Sequence, residues 1–209
     1  MAKWGSLLRV EHAHVIDDVA EVLATEDEIA ARVAELAARI EADYAGRDLL
    51  LVGVLNGAAT VTVDLARALH RHVEITWMGI TSYGAGQGGS GAVRLRKDID
   101  VDVAGRDILI VDTVIDTGLT AAWLMTNLRA RGPASLEFFG LFRKPGAQNA
   151  NIRYVGFDVP SGVVVGYGLD YQGRYRNLRC CALLAPHVYE RPSAGVVSGA
   201  QPVGGALAE

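Results

Sequence analysis

The sequence predicts an α/β protein built on an open, mostly parallel twisted sheet with helices on both faces and a small hood. Three observations predict it. Residues 49–55, LLLVGVL, and 108–111, ILIV, are apolar throughout, as in strands covered on both faces. Each run ends at turn-forming or polar residues and is followed by a stretch of helical character. The strand–helix alternation then repeats along the chain, which implies parallel strands joined by crossover helices.

The elements follow in order. Thr25-Glu26-Asp27-Glu28 has capping-box form, with Thr at the cap and Glu three residues on. Ile29, Val33, Leu36, Ala37, Ile40 and Tyr44 continue at helical spacing, and Gly46 supplies a stop. After the strand at 49–55, Asn56-Gly57 breaks the run and 58–70 reads as a helix. A strand at 73–80 leads into SYGAGQGGSGA, residues 82–92, whose small residues predict a mobile loop. The strand at 108–111 precedes a helix at 119–130 and a strand at 136–142. Residues 151–185 read as short strands and turns forming a smaller cap over the sheet's edge. From Arg191 the chain is rich in Gly, Pro and Ala without periodicity, which predicts a flexible tail. The expected organisation is one domain over 1–190, with a hood from the N-terminal segment and about 151–185, and a tail at 191–209.

Composition narrows the function. The chain has 209 residues and a net charge of −4, with no long basic run, which argues against a broad nucleic-acid surface. No apolar run approaches the roughly 18 residues of a membrane span. The N-terminus lacks the basic-then-apolar layout of a signal peptide. The two cysteines, Cys180 and Cys181, are adjacent and cannot build a disulfide framework. They read as small apolar residues of a buried strand in a reducing cytoplasm. His12, His14, His70, His72 and His187 form no ligand set.

The chemistry concentrates where the strand at 108–111 ends: VDTVIDTGLT, residues 111–120. In open parallel sheets, ligands bind beyond the carboxyl ends of the strands. The N–H groups of Thr117, Gly118, Leu119 and Thr120 would be free at a helix start and form an anion cradle. Carboxylates repel a phosphate, so Asp112 and Asp116 need other work. Asp112 suits sugar hydroxyls or a Mg²⁺ shell, and Asp116 suits proton exchange with a base. The competing reading is that Asp116 merely caps the helix.

This stretch resembles the phosphoribosyl-diphosphate motif of the type I phosphoribosyltransferases. Further motifs, in the right order from about residue 20 to 185, resemble the hypoxanthine-guanine branch of that family. Val54-Leu55-Asn56-Gly57-Ala58 is similar to its pyrophosphate loop. Thr81-Ser82-Tyr83-Gly84, Ser90-Gly91 and Lys97-Asp98-Ile99-Asp100 resemble its mobile loop and the segment after it. Arg143-Lys144-Pro145 stands at its base-recognition lysine, and VVGYGLDY with Tyr175-Arg176-Asn177-Leu178 resembles its C-terminal signature.

The resemblance implies transfer of 5-phosphoribose from phosphoribosyl diphosphate to a purine base, with Mg²⁺ as cofactor and release of pyrophosphate. Asp116, Thr117, Gly118, Leu119 and Thr120 would bind the 5-phosphate, and Asp116 would exchange a proton with the base's imidazole. Asp112 and Thr113 would meet the ribose hydroxyls. Leu55, Asn56, Gly57, Ser82, Tyr83 and Arg176 would meet pyrophosphate. Lys144 would donate to the oxygen at purine C6, Val163, Val164 and Asp170 would line the base, and Asp170 and Asp112 would hold the metal. A homodimer or homotetramer is expected, with no nucleic-acid or membrane partner.

Three departures fall among these residues. Thr113 stands where the family has an acid, Asn56 where it has lysine, and Val163 where it has a stacking aromatic. Two alternatives therefore accompany transfer to a 6-oxopurine. One is transfer to an analogue such as a 7-deazapurine in a nucleoside-antibiotic pathway. The other is a non-catalytic sensor of phosphoribosyl diphosphate.

Overall fold

The computed structural model describes residues 13–82 and 93–190. In chain order the strands are β1 (Val19–Ala24), β2 (Leu49–Leu55), β3 (Glu74–Ser82), β4 (Val93–Lys97), β5 (Asp107–Ile115), β6 (Ser135–Arg143), β7 (Tyr154–Asp158), β8 (Val164–Val165) and β9 (Cys181–Leu184). The helices are α1 (Glu26–Asp43), α2 (Ala59–Ala68), α3 (Leu119–Arg129) and the short α4 (Pro186–Tyr189).

Six strands form the large sheet in the order β4-β3-β2-β5-β6-β7. All neighbours are parallel except β3 and β4. The central strands are fully apolar because both faces are covered: Leu49, Leu50, Leu51 and Val52 of β2 and Ile108, Leu109, Ile110 and Val111 of β5 are buried. The chain crosses from β2 through α2 to β3 on one side, and from β5 through α3 to β6 on the other. Right-handed crossovers then put α2 and α3 on opposite faces.

Helix α1 begins at the capping box that the sequence predicts. The Thr25 hydroxyl accepts from the Glu28 N–H at 3.2 Å, and the Glu28 carboxylate accepts from the Thr25 N–H at 2.8 Å. Ile29, Val33, Leu36, Ala37 and Ile40 make its buried face, which packs on α2 and on β7. No helix among the described residues is long and apolar enough to cross a membrane.

A second, three-stranded antiparallel sheet has the order β1-β9-β8. The stretch 151–185 divides between the two sheets. Tyr154–Asp158 extends the large sheet beside β6, while Val164–Val165 and Cys181–Leu184 build the hood. Its third strand, β1, comes from before α1. Both cysteines are free and buried, as expected of small apolar residues. The tail from Arg191 lies outside the described residues.

Gly53 interrupts an otherwise large-residue strand for a packing reason. A Cβ there would sit 2.5 Å from the Trp77 ring and 2.8 Å from the Thr62 hydroxyl. Gly53→Ala is therefore expected to destabilise the fold by about 1–3 kcal/mol through overpacking, read from urea unfolding midpoints.

Candidate active site

Strands β2 and β5 lie side by side, paired from Leu49 with Asp107 to Gly53 with Val111. Their onward connections leave in opposite directions, so a crevice opens between their carboxyl ends. The turn 55–57, the turn 116–118 and the end of β6 all reach it. The backbone joins the last two: the Lys144 N–H donates to the Ile115 carbonyl at 2.9 Å.

The turn into α3 is shaped for an anion. Gly118 is the N-cap, with a left-handed φ of +80° that L side chains adopt with strain. It makes no side-chain cap, so the helix is not capped by Asp116. Among the described residues, the N–H groups of Thr117, Gly118 and Thr120 find no hydrogen-bond partner, and that of Leu119 meets only the Thr117 hydroxyl at 3.4 Å. Leu119 projects outward, 58% exposed. Main-chain amides and the positive end of the helix dipole thus converge on one open spot. A cavity of about 480 Å³ runs along one side of this turn, past Thr117, Gly118, Leu119, Ala150 and Ile152. Asp112, Lys144, Asp170 and Arg176 lie outside its lining.

Asp116 is not spent on the helix. Its carboxylate is 67% exposed and lies 3.4 Å from the Lys144 ammonium, whose side chain is 15% exposed. The two residues that the sequence assigns to proton exchange and base recognition are thus paired directly.

Strand alternation separates Asp112 from Thr113. Asp112 and Val114 are half-buried, while Thr113 and Ile115 turn inward and are buried. Asp112 accepts the Thr113 N–H at 2.8 Å. Burial pushes its carboxyl up to about 7, against the opposing pull of the Thr113 and Val114 amides. Thr113 is fully buried and its hydroxyl has no partner. It faces Gly57, whose ideal Cβ would lie 3.9 Å from that hydroxyl. A direct bond from Thr113 to a sugar hydroxyl therefore requires the turn 55–57 to shift.

At the hood, the Arg176 guanidinium pairs with Asp170 at 2.5 Å and donates to the Gly168 carbonyl at 2.7 Å. Asp170 also accepts the Gly173 N–H at 2.8 Å. The two residues expected to meet metal and pyrophosphate are thus paired with each other. Val163 is half-buried and packs into the hood core near Val165 and Tyr175, while Val164 is buried in β8. Asn56 is exposed at the turn, Leu55 half-buried. Ser82 is the last residue of β3, paired with Val93. Tyr83 and the rest of the 83–92 loop lie outside the described residues.

Magnesium takes oxygen ligands, and one or two carboxylates suffice when substrate oxygens complete the shell. Asp112 and Asp170 fit that donor set, each keeping lone pairs beyond its present partners. No cluster of three or more His, Cys, Asp or Glu exists among the described residues to bind a metal by itself.

Two residues near the site carry no sequence signal of their own. Tyr167 belongs to the GYG stretch, yet its left-handed backbone and its bond to Asp64 are tertiary facts. Asp64 reads in sequence as an ordinary surface residue of a helix.

The Asp112 carboxyl yields a pH prediction. Its folded pKa of about 7 lies above the unfolded value of 3.8, so the folded state favours the protonated form. Stability from this group is full below pH 4 and is lost as pH rises through 7. Asp112→Asn should therefore leave the metal-free protein's stability unchanged at pH 4. At pH 8 it should raise stability by about 1–3 kcal/mol, read from denaturant titrations at both pH values.

Comparison with known proteins agrees with this geometry. The family model for the phosphoribosyl transferase domain matches residues 19–172. A hypoxanthine-guanine phosphoribosyltransferase of Mycobacterium tuberculosis is 48% identical over 181 residues, covering 83% of this chain and 90% of that protein. The Bacillus subtilis enzyme of the same name is 42% identical over 175 residues, covering 83% and 97%. Among solved structures, a Staphylococcus aureus hypoxanthine phosphoribosyltransferase superposes with a TM-score of 0.80 at 37% identity, covering 86% of this chain and 98% of that one. A Trypanosoma cruzi hypoxanthine phosphoribosyltransferase in a ternary substrates complex gives 0.76 at 37% identity, covering 83% and 99%. With this identity over most of its length, the chain belongs to the hypoxanthine-guanine phosphoribosyltransferase family.

Proposed function

We propose that the protein transfers 5-phosphoribose from phosphoribosyl diphosphate to hypoxanthine or guanine, releasing pyrophosphate, in purine salvage. The observation that carries this reading is the pairing of the unpartnered amides of Thr117, Gly118 and Thr120 with an exposed acid, Asp116, held 3.4 Å from Lys144. A sugar-phosphate, a proton acceptor and a cation for an oxo group are what the transfer needs at one place. A sensor of phosphoribosyl diphosphate would have no use for the last two. The relatives are named for hypoxanthine and guanine, which favours an oxopurine over a deaza analogue.

The amides at 117–120 hold the 5-phosphate, and Asp112 faces the ribose hydroxyls. Lys144 donates to the oxygen at C6, discriminating against an amino group there. The base nitrogen attacks C1 of the ribose. The bond from C1 to the pyrophosphate oxygen breaks, and its electron pair leaves on pyrophosphate. The proton shed by the imidazole passes to Asp116. Asn56, Gly57 and Arg176 receive the leaving group, Arg176 through its planar fork. Mg²⁺, bound through Asp112 and Asp170, would offset charge on the leaving pyrophosphate. The loop bearing Ser82 and Tyr83 excludes water during the transfer. Two free, buried cysteines fit work in a reducing cytoplasm. Assembly as a homodimer or homotetramer belongs to the same proposal, and sedimentation tests it.

The test is pyrophosphate release with Mg²⁺, phosphoribosyl diphosphate and a panel of bases. Turnover with hypoxanthine and guanine is expected; turnover restricted to deazapurines, or binding without turnover, overturns the reading. Asp116→Asn should lower kcat by about 10²–10⁴-fold while substrate affinities change little. Val163→Phe should restore a stacking face and lower the KM for hypoxanthine by about two- to tenfold, equivalent to about 0.5–1.5 kcal/mol.

A further inference from the structure

Tyr167 sits where the hood meets the turn after β2, and its environment is over-determined. Its φ of +49° is left-handed, a conformation that costs a side-chain-bearing residue about 1–2 kcal/mol. Its N–H donates to the Leu178 carbonyl at 2.8 Å, and its ring is buried. The hydroxyl donates to the Asp64 carboxylate at 2.5 Å. Asp64 lies on α2, the helix that grows directly out of the turn 55–57.

The next residue, Gly168, touches that turn. A Cβ on Gly168 would fall 2.2 Å from the Gly57 carbonyl, so only glycine permits the two backbones to approach this closely. Gly168 is also fastened to Arg176, through its N–H to the Arg176 carbonyl at 3.0 Å and its carbonyl to the guanidinium at 2.7 Å. Arg176 in turn holds Asp170. A short series of contacts thus runs from Asp64 through Tyr167 and Gly168 to Arg176 and Asp170.

We propose that Tyr167 is a positioning residue: its hydroxyl, tied to Asp64, holds the hood turn carrying Asp170 and Arg176 against the turn 55–57, fixing the gap that pyrophosphate occupies. Neither residue touches the substrate in this scheme. The inference rests on the pyrophosphate role of 55–57 and Arg176. It explains why a strained backbone persists at Tyr167, because the bond to α2 and the contact at Gly57 leave the turn no alternative seat. Burial and Asp64 both push the phenol's pKa well above its ordinary value, so the hydroxyl remains a donor at neutral pH.

The test uses Tyr167→Phe, Asp64→Ala and Asp64→Asn in the full chain. Four constants are measured: KM for phosphoribosyl diphosphate, inhibition by magnesium pyrophosphate, KM for hypoxanthine, and affinity for the nucleoside monophosphate, which lacks pyrophosphate. With Tyr167→Phe and Asp64→Ala the first two should weaken about tenfold, the equivalent of one 1.4 kcal/mol interaction, while the last two stay within about twofold. Asp64→Asn keeps an acceptor for the phenol and should recover most of the loss. The Tyr167→Phe/Asp64→Ala double variant should be no worse than either single one. Four constants that all move together with a falling Tm, or pyrophosphate constants that do not move, overturn the proposal. In the unaltered protein, magnesium pyrophosphate must compete with phosphoribosyl diphosphate. Absence of competition there overturns the reading of the site itself, whereas competition with no change in the variants overturns the positioning role alone.

Discussion

The parallel pairing of β2 with β5 is the constraint on which the rest of the molecule depends. Five residues of each strand are held in register, and both strands are buried on both faces. Because the two crossovers diverge, the chain leaves the ends of β2 and β5 in opposite directions. The turn 55–57 and the turn 116–118 become opposing walls of the crevice there. Burial of the strand residues supplies the stability, at roughly 25 cal/mol per Å² of apolar surface, that lets those turns keep unpartnered amides. A site with free N–H groups is unfavourable by itself, and here it rides on a core that tolerates it.

The charges around the crevice are held in two pairs. Asp116 leans on Lys144 and Arg176 leans on Asp170. Each pair reaches solvent, and exposed pairs of this kind contribute about 0–1 kcal/mol. A phosphate or a base oxygen that makes charge-assisted bonds, each roughly twice as strong as a neutral one, can open them at small cost. The same pairs keep four charged groups from wandering while the site is empty of substrate. A deeply buried version of either pair would resist exchange far more strongly.

Much of this was legible in the sequence, for identifiable reasons. The fully apolar runs announced buried parallel strands, and Thr25 with Glu28 announced the start of α1. The Asp-Thr-Gly-Leu-Thr stretch announced the glycine-capped turn into α3 with its free amides, since both follow from local geometry. What stayed hidden depends on contacts far apart in the chain. Strand β1 pairs with β9 across some 160 residues, and six residues with no distinctive period cannot reveal that partner. Tyr154–Asp158 has the same short, mixed character as the hood strands, and only the exposed edge of β6 decides where it goes. The resemblance put Asp112 and Thr113 together at the sugar, and the pleat, which adjacency in the sequence does not display, turns their side chains to opposite faces.

The pleat also makes sense of threonine at 113. Asp112 already carries a carboxyl whose ionisation burial opposes. A second carboxyl one residue on would point into the fully buried side, beneath Gly57, where a lone charge costs several kcal/mol unless it is paired. The described residues show no partner even for the threonine hydroxyl there. An orphaned neutral hydroxyl costs about 1–3 kcal/mol, less than an orphaned carboxylate would. Threonine thus avoids a second carboxyl next to Asp112 while keeping the volume beneath the turn filled. Asp112 keeps the half-buried face of the strand, and the fold accommodates one carboxyl at this end of β5 instead of two.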